Sequence, residues 1–172
     1  MEATIKQGKK ITISIKDQFK ASIITGQIAG LIMAVVVMLV FTLFLGKGPL
    51  FPVQVIGSSV FGASALDGFH LGAFLAGLIL HQLGPSLLWG ALYGLLTSKY
   101  EVSNNKKAFF LGLGVATISM VGPYLLIPLV MKSLHGVDFW NQEVPMFWDW
   151  AAHLVFGASF VLYPKILKLI KK

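Results

Sequence analysis

The chain has 172 residues, of which 56% are hydrophobic and only 12% charged, and its mean hydropathy is +0.78. A soluble domain carries about 25% charged residues, so this composition excludes an ordinary soluble enzyme. Four spans of about 20 residues, the length that crosses a hydrocarbon core of roughly 30 Å, would use about half of the chain. They would leave no room for a separate soluble catalytic domain.

The basic residues argue against nucleic acid as a partner. All 14 of them are lysines, whereas phosphate recognition usually relies on the planar fork of arginine. The lysines flank apolar runs, so the net charge of +7 instead indicates contact with a lipid bilayer and its anionic headgroups. The chain has no cysteine, which excludes disulfides, thiolate metal sites and iron–sulfur clusters.

The first apolar run, residues 21–45, predicts a retained transmembrane helix. It is longer than the core of a signal peptide, which has about 7–15 residues. Residues 46–67 contain glycines and prolines at a density that argues against a full span, and a short interfacial or re-entrant helix is expected at residues 53–61.

Three further apolar runs complete the predicted architecture, an all-α integral membrane protein with one polytopic domain over residues 1–172. Each run is long enough to cross the hydrocarbon core as a helix. They predict spans at residues 70–96, 108–131 and 146–163.

Lysine placement predicts the orientation, because cytoplasmic segments carry an excess of basic residues. Five lysines precede the first span, three lie in the loop after the second and four close the chain, while only Lys47 and Lys132 fall on the other side. Both termini are therefore expected in the cytoplasm, with the protein in the inner membrane of a prokaryote. Trp140, Trp148 and Trp150 would then form an aromatic belt at the outer headgroups.

The second and fourth spans resemble each other in sequence. Ser86–Leu96 (SLLWGALYGLL) aligns without gaps to His153–Tyr163 (HLVFGASFVLY), and each segment follows a long span led by lysine. The alignment predicts two tandem hairpins of the same orientation, a parallel repeat. Chance recurrence of leucine, glycine and alanine in membrane helices is the alternative.

Paired glycines predict close helix packing. Gly26-x-x-x-Gly30 and Gly90-x-x-x-Gly94 each place two glycines on one helix face, which lets another helix approach closely. That helix belongs either to the same chain or to a partner protein.

Two Gly-Pro pairs, Gly84-Pro85 and Gly122-Pro123, fall inside the second and third spans. Proline lacks the backbone donor and clashes with the preceding turn, so each pair is expected to kink its helix. The kinks serve packing in one interpretation. In the other they line a substrate pathway, as broken helices do in transporters.

Histidines and acids form the candidate site. Asp67-x-x-His70 and Asp149-x-x-x-His153 place a carboxylate and an imidazole on neighbouring helix positions. With His81, these residues are candidate ligands of copper or zinc, which imidazole and carboxylate groups suit. Haem ligation by histidine is a second alternative, and ordinary hydrogen bonds at helix starts are a third.

All of these histidines would lie in the outer half of the membrane or beyond it. A fourth histidine, His135, is expected in a flexible outer loop and is not a main candidate ligand.

Two resemblances bear on function. The segments His153–Gly157 and Leu87–Gly90 resemble the HLVFG-type segments that close paired hairpins in small prokaryotic inner-membrane proteins of the YagU type, a resemblance that implies no particular activity. Asp149-x-x-x-His153 resembles the Asp-x3-His motif of the membrane subunit of copper-dependent methane and ammonia monooxygenases. That motif continues to a second histidine thirteen residues later, where this chain has Ile166, so only part of the copper site is implied.

The function expected from these features is that of a non-catalytic accessory or assembly subunit, in contact with the bilayer and with other membrane subunits or copies of itself. The chain has no G-x-S-x-G, H-E-x-x-H, Walker or dinucleotide-binding motif, so it lacks these signatures of common enzyme classes. The alternatives are a metal- or haem-binding redox subunit and a small transporter or channel.

Overall fold

The computed structural model describes residues 14–171, and within this range the chain forms helices and no strand. In chain order the helices are α1 (Ile15–Phe44), α2 (Phe51–Phe61), α3 (Leu71–Lys99), α4 (Asn105–His135), α5 (Phe139–Glu143) and α6 (Met146–Ile170). The helices α1, α3, α4 and α6 are long and apolar enough to cross a membrane. The predicted all-helical fold with four helices of spanning length is confirmed.

The described helices extend beyond the predicted spans because polar caps, rather than hydropathy, set their ends. The Ser14 hydroxyl accepts a hydrogen bond from the Asp17 amide at 3.1 Å, so α1 begins before residue 21. The Asn104 side chain accepts from the Lys107 amide at 2.9 Å, so α4 begins before residue 108. Side-chain oxygens at this position satisfy otherwise unpaired amides of the first helical turn.

The fourth span also continues beyond its predicted end at residue 163, as far as Ile170. Its last turns alternate lysines with apolar residues, and the apolar side packs against α1. Ile166 and Leu167 are buried there. Hydropathy alone stops at the lysines, whereas the helix continues because one of its faces is covered.

Apolar side chains cover the outside of the long helices. Only 12% to 39% of the most apolar stretch of each long helix is buried, and Leu31, Val35, Leu39 and Leu43 form an exposed stripe along α1. Water would not tolerate so large an apolar surface, but lipid tails solvate it at no cost. The structure therefore supports a membrane protein.

Glycine brings α1 and α3 into close contact. A Cβ atom added to Gly90 would lie 3.2 Å from the carbonyl oxygen of Ser22, and one added to Gly94 would lie 3.1 Å from the Phe19 ring. The glycines of the other predicted pair, Gly26 and Gly30, are buried in α1. The packing glycines therefore act within the chain.

The short helix α2 begins two residues before the predicted segment 53–61 and is part of the bundle. Its backbone meets that of α3 so closely that a Cβ added to Gly57 or to Gly77 would overlap a carbonyl group of the other helix. Gln54 holds the turn that follows, because its side-chain nitrogen donates to the carbonyls of Ala65 at 2.9 Å and Gly68 at 2.7 Å.

Two buried clusters fill the bundle. The first lies towards the end of the bundle where α1 begins and α6 ends, and it contains the stacked rings of Tyr93 and Phe160, whose centroids are 4.2 Å apart. The second lies towards the opposite end and contains Phe41, Met131 and Trp140. The candidate site described next lies between the two clusters.

Candidate functional site

A cavity of about 290 Å³ lies halfway along the long helices. One wall comes from α3, between Leu80 and Trp89, and the facing wall comes from α4, between Ser119 and Val130. The back is closed by residues of the other helices, namely Met33, Ile56, Ser59, Trp140, His153 and Phe156.

A smaller cavity of about 100 Å³ adjoins the larger one and reaches Asp149. The two share lining residues from four helices, which are Met33, Ile56, His81 and Trp140.

The glycine of each Gly-Pro pair lines the larger cavity. Leu83–Trp89 and Gly122–Leu126 are π-helical, a wider helical form that often marks functional sites. Each segment contains the proline of one predicted kink, Pro85 or Pro123, and proline cannot donate the usual helical hydrogen bond. Gly84 and Gly122 line the cavity, so the two sites predicted to kink lie on opposite walls of one space.

The mouth of the cavity opens on the side of the bundle. Four of its lining residues are exposed on the outer surface, Leu80 and Leu88 on α3 and Leu126 and Val130 on α4. The helices α3 and α4 pack against each other near their connecting loop, where the Tyr93 hydroxyl donates to the carbonyl of Ala108 at 3.3 Å. Farther from that loop they are separated by the cavity. A bilayer around the bundle would place acyl chains at this opening.

Asp149 and His153 form a buried polar pair on α6, in which Asp149 is 4% exposed and His153 9% exposed. Nδ1 of His153 lies 2.9 Å from the backbone oxygen of Asp149 and 3.1 Å from its carboxylate Oδ1. The indole nitrogen of Trp140 donates to the other carboxylate oxygen at 3.3 Å. The carboxylate is therefore held from both sides, which orients the imidazole as in carboxylate–histidine pairs of functional sites.

The loop helix α5 positions Trp140. The Asp138 carboxylate caps this helix by accepting hydrogen bonds from the backbone and side-chain nitrogens of Asn141, at 3.1 and 2.7 Å. Burial raises the pKa of the Asp138 carboxyl. The hydrogen bonds from Asn141 and the Lys132 ammonium, whose Nζ lies 3.6 Å from the carboxylate, lower it by more, so the pKa lies below the ordinary value. The backbone amide of Trp140 also donates to the sulfur of Met131 at 3.3 Å.

His81 lies on α3 and lines both cavities. Its Nδ1 atom is buried and has no hydrogen-bond partner among residues 14–171. A buried polar atom left without a partner costs about 1–3 kcal/mol, so this nitrogen favours a polar group in the adjoining space. The structure thus brings His81 and His153, which are 72 residues apart in the chain, to one cavity.

The remaining candidate ligands lie elsewhere. Nδ1 of His70 accepts a hydrogen bond from the Ala73 amide at 3.0 Å and caps α3, and Asp67 is exposed on the preceding turn. Within the described part of the chain, no three histidine or acidic side chains are placed to hold a metal ion together. The five predicted ligands do not converge, and copper or zinc binding at Asp149 and His153 stays a prediction.

His135 is not in a flexible loop, and that expectation is wrong. It belongs to the last turn of α4, and its Nε2 atom lies 3.0 Å from the backbone oxygen of Ser59. The ring nitrogen donates this hydrogen bond, since a carbonyl oxygen only accepts. The bond links the end of α4 to α2.

Trp140 was expected in an aromatic belt at the membrane surface, and this expectation is wrong. It lies in the buried cluster rather than in a surface belt and is 8% exposed. Of the other two tryptophans of the expected belt, Trp148 stacks on Phe44 with centroids 5.1 Å apart and Trp150 is exposed. The nearby capping sequence Asp138-x-x-Asn141 is the one local sign that Trp140 belongs to a short ordered helix.

Comparison with family models, with curated proteins and with solved structures finds no match to this chain. The candidate function therefore rests on the geometry of the cavity and its polar wall.

Proposed function

We propose that this protein is a small accessory subunit of the membrane that binds an apolar molecule taken from the bilayer. The observation that carries the proposal is the cavity of about 290 Å³ between α3 and α4, with its mouth on the side of the bundle. Ligand sites are typically apolar clefts of about 300–1,000 Å³ with a few polar groups that orient the ligand. His81, His153 and Ser119 are such groups here.

The side opening favours binding over transport between two aqueous compartments. A molecule that enters between Leu88 and Leu126 comes from the acyl chains and not from water. The volume also favours a ligand smaller than haem, since about 290 Å³ lies below the usual range for drug-sized ligands. For a metal ion, the available side chains are His153 and Asp149, which contact each other, and His81 on the neighbouring wall.

The proposal includes the tandem repeat. Aligned residues of the two segments make equivalent contacts: Trp89 and Phe156 both line the cavity, and Tyr93 stacks on its counterpart Phe160. Gly90 and Gly157, also aligned, each lie against the first long helix of their own hairpin, α1 and α4 respectively. Repeat interfaces are a common place for binding sites in membrane proteins, and this cavity lies between the two halves.

The proposed orientation places both termini in the cytoplasm of a prokaryotic cell. Eight of the described lysines lie at or near the end of the bundle where α1 begins and α6 ends, and Lys47 and Lys132 lie towards the other. Basic residues accumulate on the cytoplasmic side. The Asp149–His153 pair would then lie in the outer half of the membrane.

Binding of a simple apolar probe tests the proposal. Wild-type protein in nanodiscs is expected to bind 4-decylanisole saturably, with about one molecule per chain, after subtraction of the amount held by empty nanodiscs. Leu126→Trp should abolish this binding because the larger side chain blocks the mouth of the cavity.

The matched control is Leu125→Trp on the same helix. Leu125 is exposed like Leu126 but does not line the cavity, so this variant should bind the probe as the wild type does. Equal binding by both variants, or no saturable binding by wild type, would contradict the proposal.

A further inference from the structure

The hydrogen bonds of His153 determine which of its ring nitrogens carries the proton. Nδ1 faces two oxygens of Asp149, the backbone carbonyl at 2.9 Å and the carboxylate Oδ1 at 3.1 Å. A carbonyl oxygen only accepts, as does an ionised carboxylate, so Nδ1 is the donor. In the neutral ring Nε2 then has a free lone pair.

Nε2 of His153 makes no hydrogen bond with any other residue of the described range, although the side chain lines the larger cavity. A lone pair in this position accepts a hydrogen bond and cannot donate one. The cavity wall therefore selects for a ligand with an O–H or N–H group over an otherwise identical ligand without one. Sites built to bind a hydroxyl group discriminate strongly against analogues that lack it.

The other walls favour a flat ring. Trp89, Trp140 and Phe156 line the same space, and aromatic side chains pack well against other rings in offset or edge-to-face geometry. An apolar cavity of about 150 Å³ holds benzene, so about 290 Å³ accommodates one substituted six-membered ring. A tail attached to this ring would leave through the mouth between Leu88 and Leu126.

We infer that the ligand is a phenol, or a hydroquinone of the same shape, with an apolar tail in the bilayer. Its hydroxyl group donates to Nε2 of His153, while Asp149 and Trp140 hold the imidazole in the accepting form. The second hydroxyl group of a hydroquinone would form a hydrogen bond with the unpartnered Nδ1 atom of His81. This inference rests on the proposed function and names the ligand class for the same cavity.

Two probes that differ only in the donor hydrogen test the inference. 4-Decylphenol and 4-decylanisole have the same ring and the same tail, but only the phenol can donate. Wild-type protein in nanodiscs is expected to bind the phenol roughly tenfold more tightly, which corresponds to about 1.4 kcal/mol. Each dissociation constant is expressed as moles of probe per mole of lipid, so that a difference in how much of each probe enters the bilayer does not change their ratio.

The variant His153→Phe should remove the preference, so that both probes bind equally, because phenylalanine keeps a ring in the wall but cannot accept. If this variant does not fold, the comparison of the two probes on wild type still decides. Equal, saturable binding of both probes to wild type overturns the inference and leaves the proposed function standing. If neither probe binds saturably to wild type, both the inference and the proposed function are overturned.

Discussion

Gly112 on α4 offers a sharp test of how the second hairpin is held together. A Cβ atom at this position would overlap the carbonyl oxygen of Gly157 on α6 and would lie 2.8 Å from the Cβ of Phe160. Neither atom can rotate away, because one belongs to the backbone and the other is fixed to it. Gly112→Ala must therefore push α4 and α6 apart along the contact that supports the Asp149–His153 segment.

The size of the effect follows from two opposing terms. Forcing an additional methyl group into a packed contact costs about 1–3 kcal/mol, and the rigid neighbours here place the cost near 3 kcal/mol. Replacing a helical glycine by alanine favours the helix by about 1 kcal/mol. We therefore expect a net loss of about 2 kcal/mol, or roughly a 30-fold change in the folding equilibrium.

Gly114→Ala is the matched control, since Gly114 lies on the same helix and its added Cβ would have no atom within 4 Å. This variant should gain about 1 kcal/mol. Unfolding in mild detergent with increasing denaturing detergent, followed by tryptophan fluorescence, measures both. A Gly112→Ala protein as stable as Gly114→Ala would refute the close contact between α4 and α6.

Three further predictions concern the polar wall and the orientation. Trp140→Phe should lower the free energy of unfolding by about 1–3 kcal/mol, since it leaves a buried carboxylate oxygen of Asp149 without its donor; stability unchanged from wild type would show that this hydrogen bond contributes little. If Asp149 and His153 bind copper or zinc, elemental analysis should find up to about one ion per chain, with the metal lost in His153→Ala and mostly lost in Asp149→Ala, and metal retained by His153→Ala would rule this pair out. A reporter fused after Lys107 should read as cytoplasmic and one in the loop between α4 and α6 as external, because lysines accumulate on the cytoplasmic side; the opposite result would reverse the proposed orientation.

The number and approximate position of the long helices could be predicted from the sequence, because span length and hydropathy are local properties. Helix starts at Ser14 and Asn104 are local as well, since each cap bonds to an amide three residues later. The same holds for the two Gly-Pro interruptions, where proline itself removes a hydrogen bond. Each of these features depends on a few consecutive residues.

The inward face of each helix was harder to predict, because lipid tails and the protein interior are both apolar. In a soluble helix, polar residues mark the outside, whereas in α1 the exposed Leu31, Val35 and Leu39 do not differ in kind from the buried Met33 and Phe41. Trp140 was assigned to the surface because it clusters with Trp148 and Trp150 near the start of the fourth span, as in an aromatic belt, but it is buried. Asp67 and His70 were candidate ligands because a repeated hairpin could place them beside Asp149 and His153, but in the structure His70 caps α3 and Asp67 is exposed.

The sequence by itself determined that the chain forms apolar helices of spanning length, since every backbone polar group must be paired within the helix where no water is present. It also determined that Asp149 and His153 share one helix face, four residues apart. Only the tertiary structure placed His81 on the same cavity as His153 and Trp140 on the carboxylate of Asp149. These groups lie on α3, α5 and α6, and only the packing of whole helices brings them together, including the close glycine contacts between α1 and α3 and between α4 and α6.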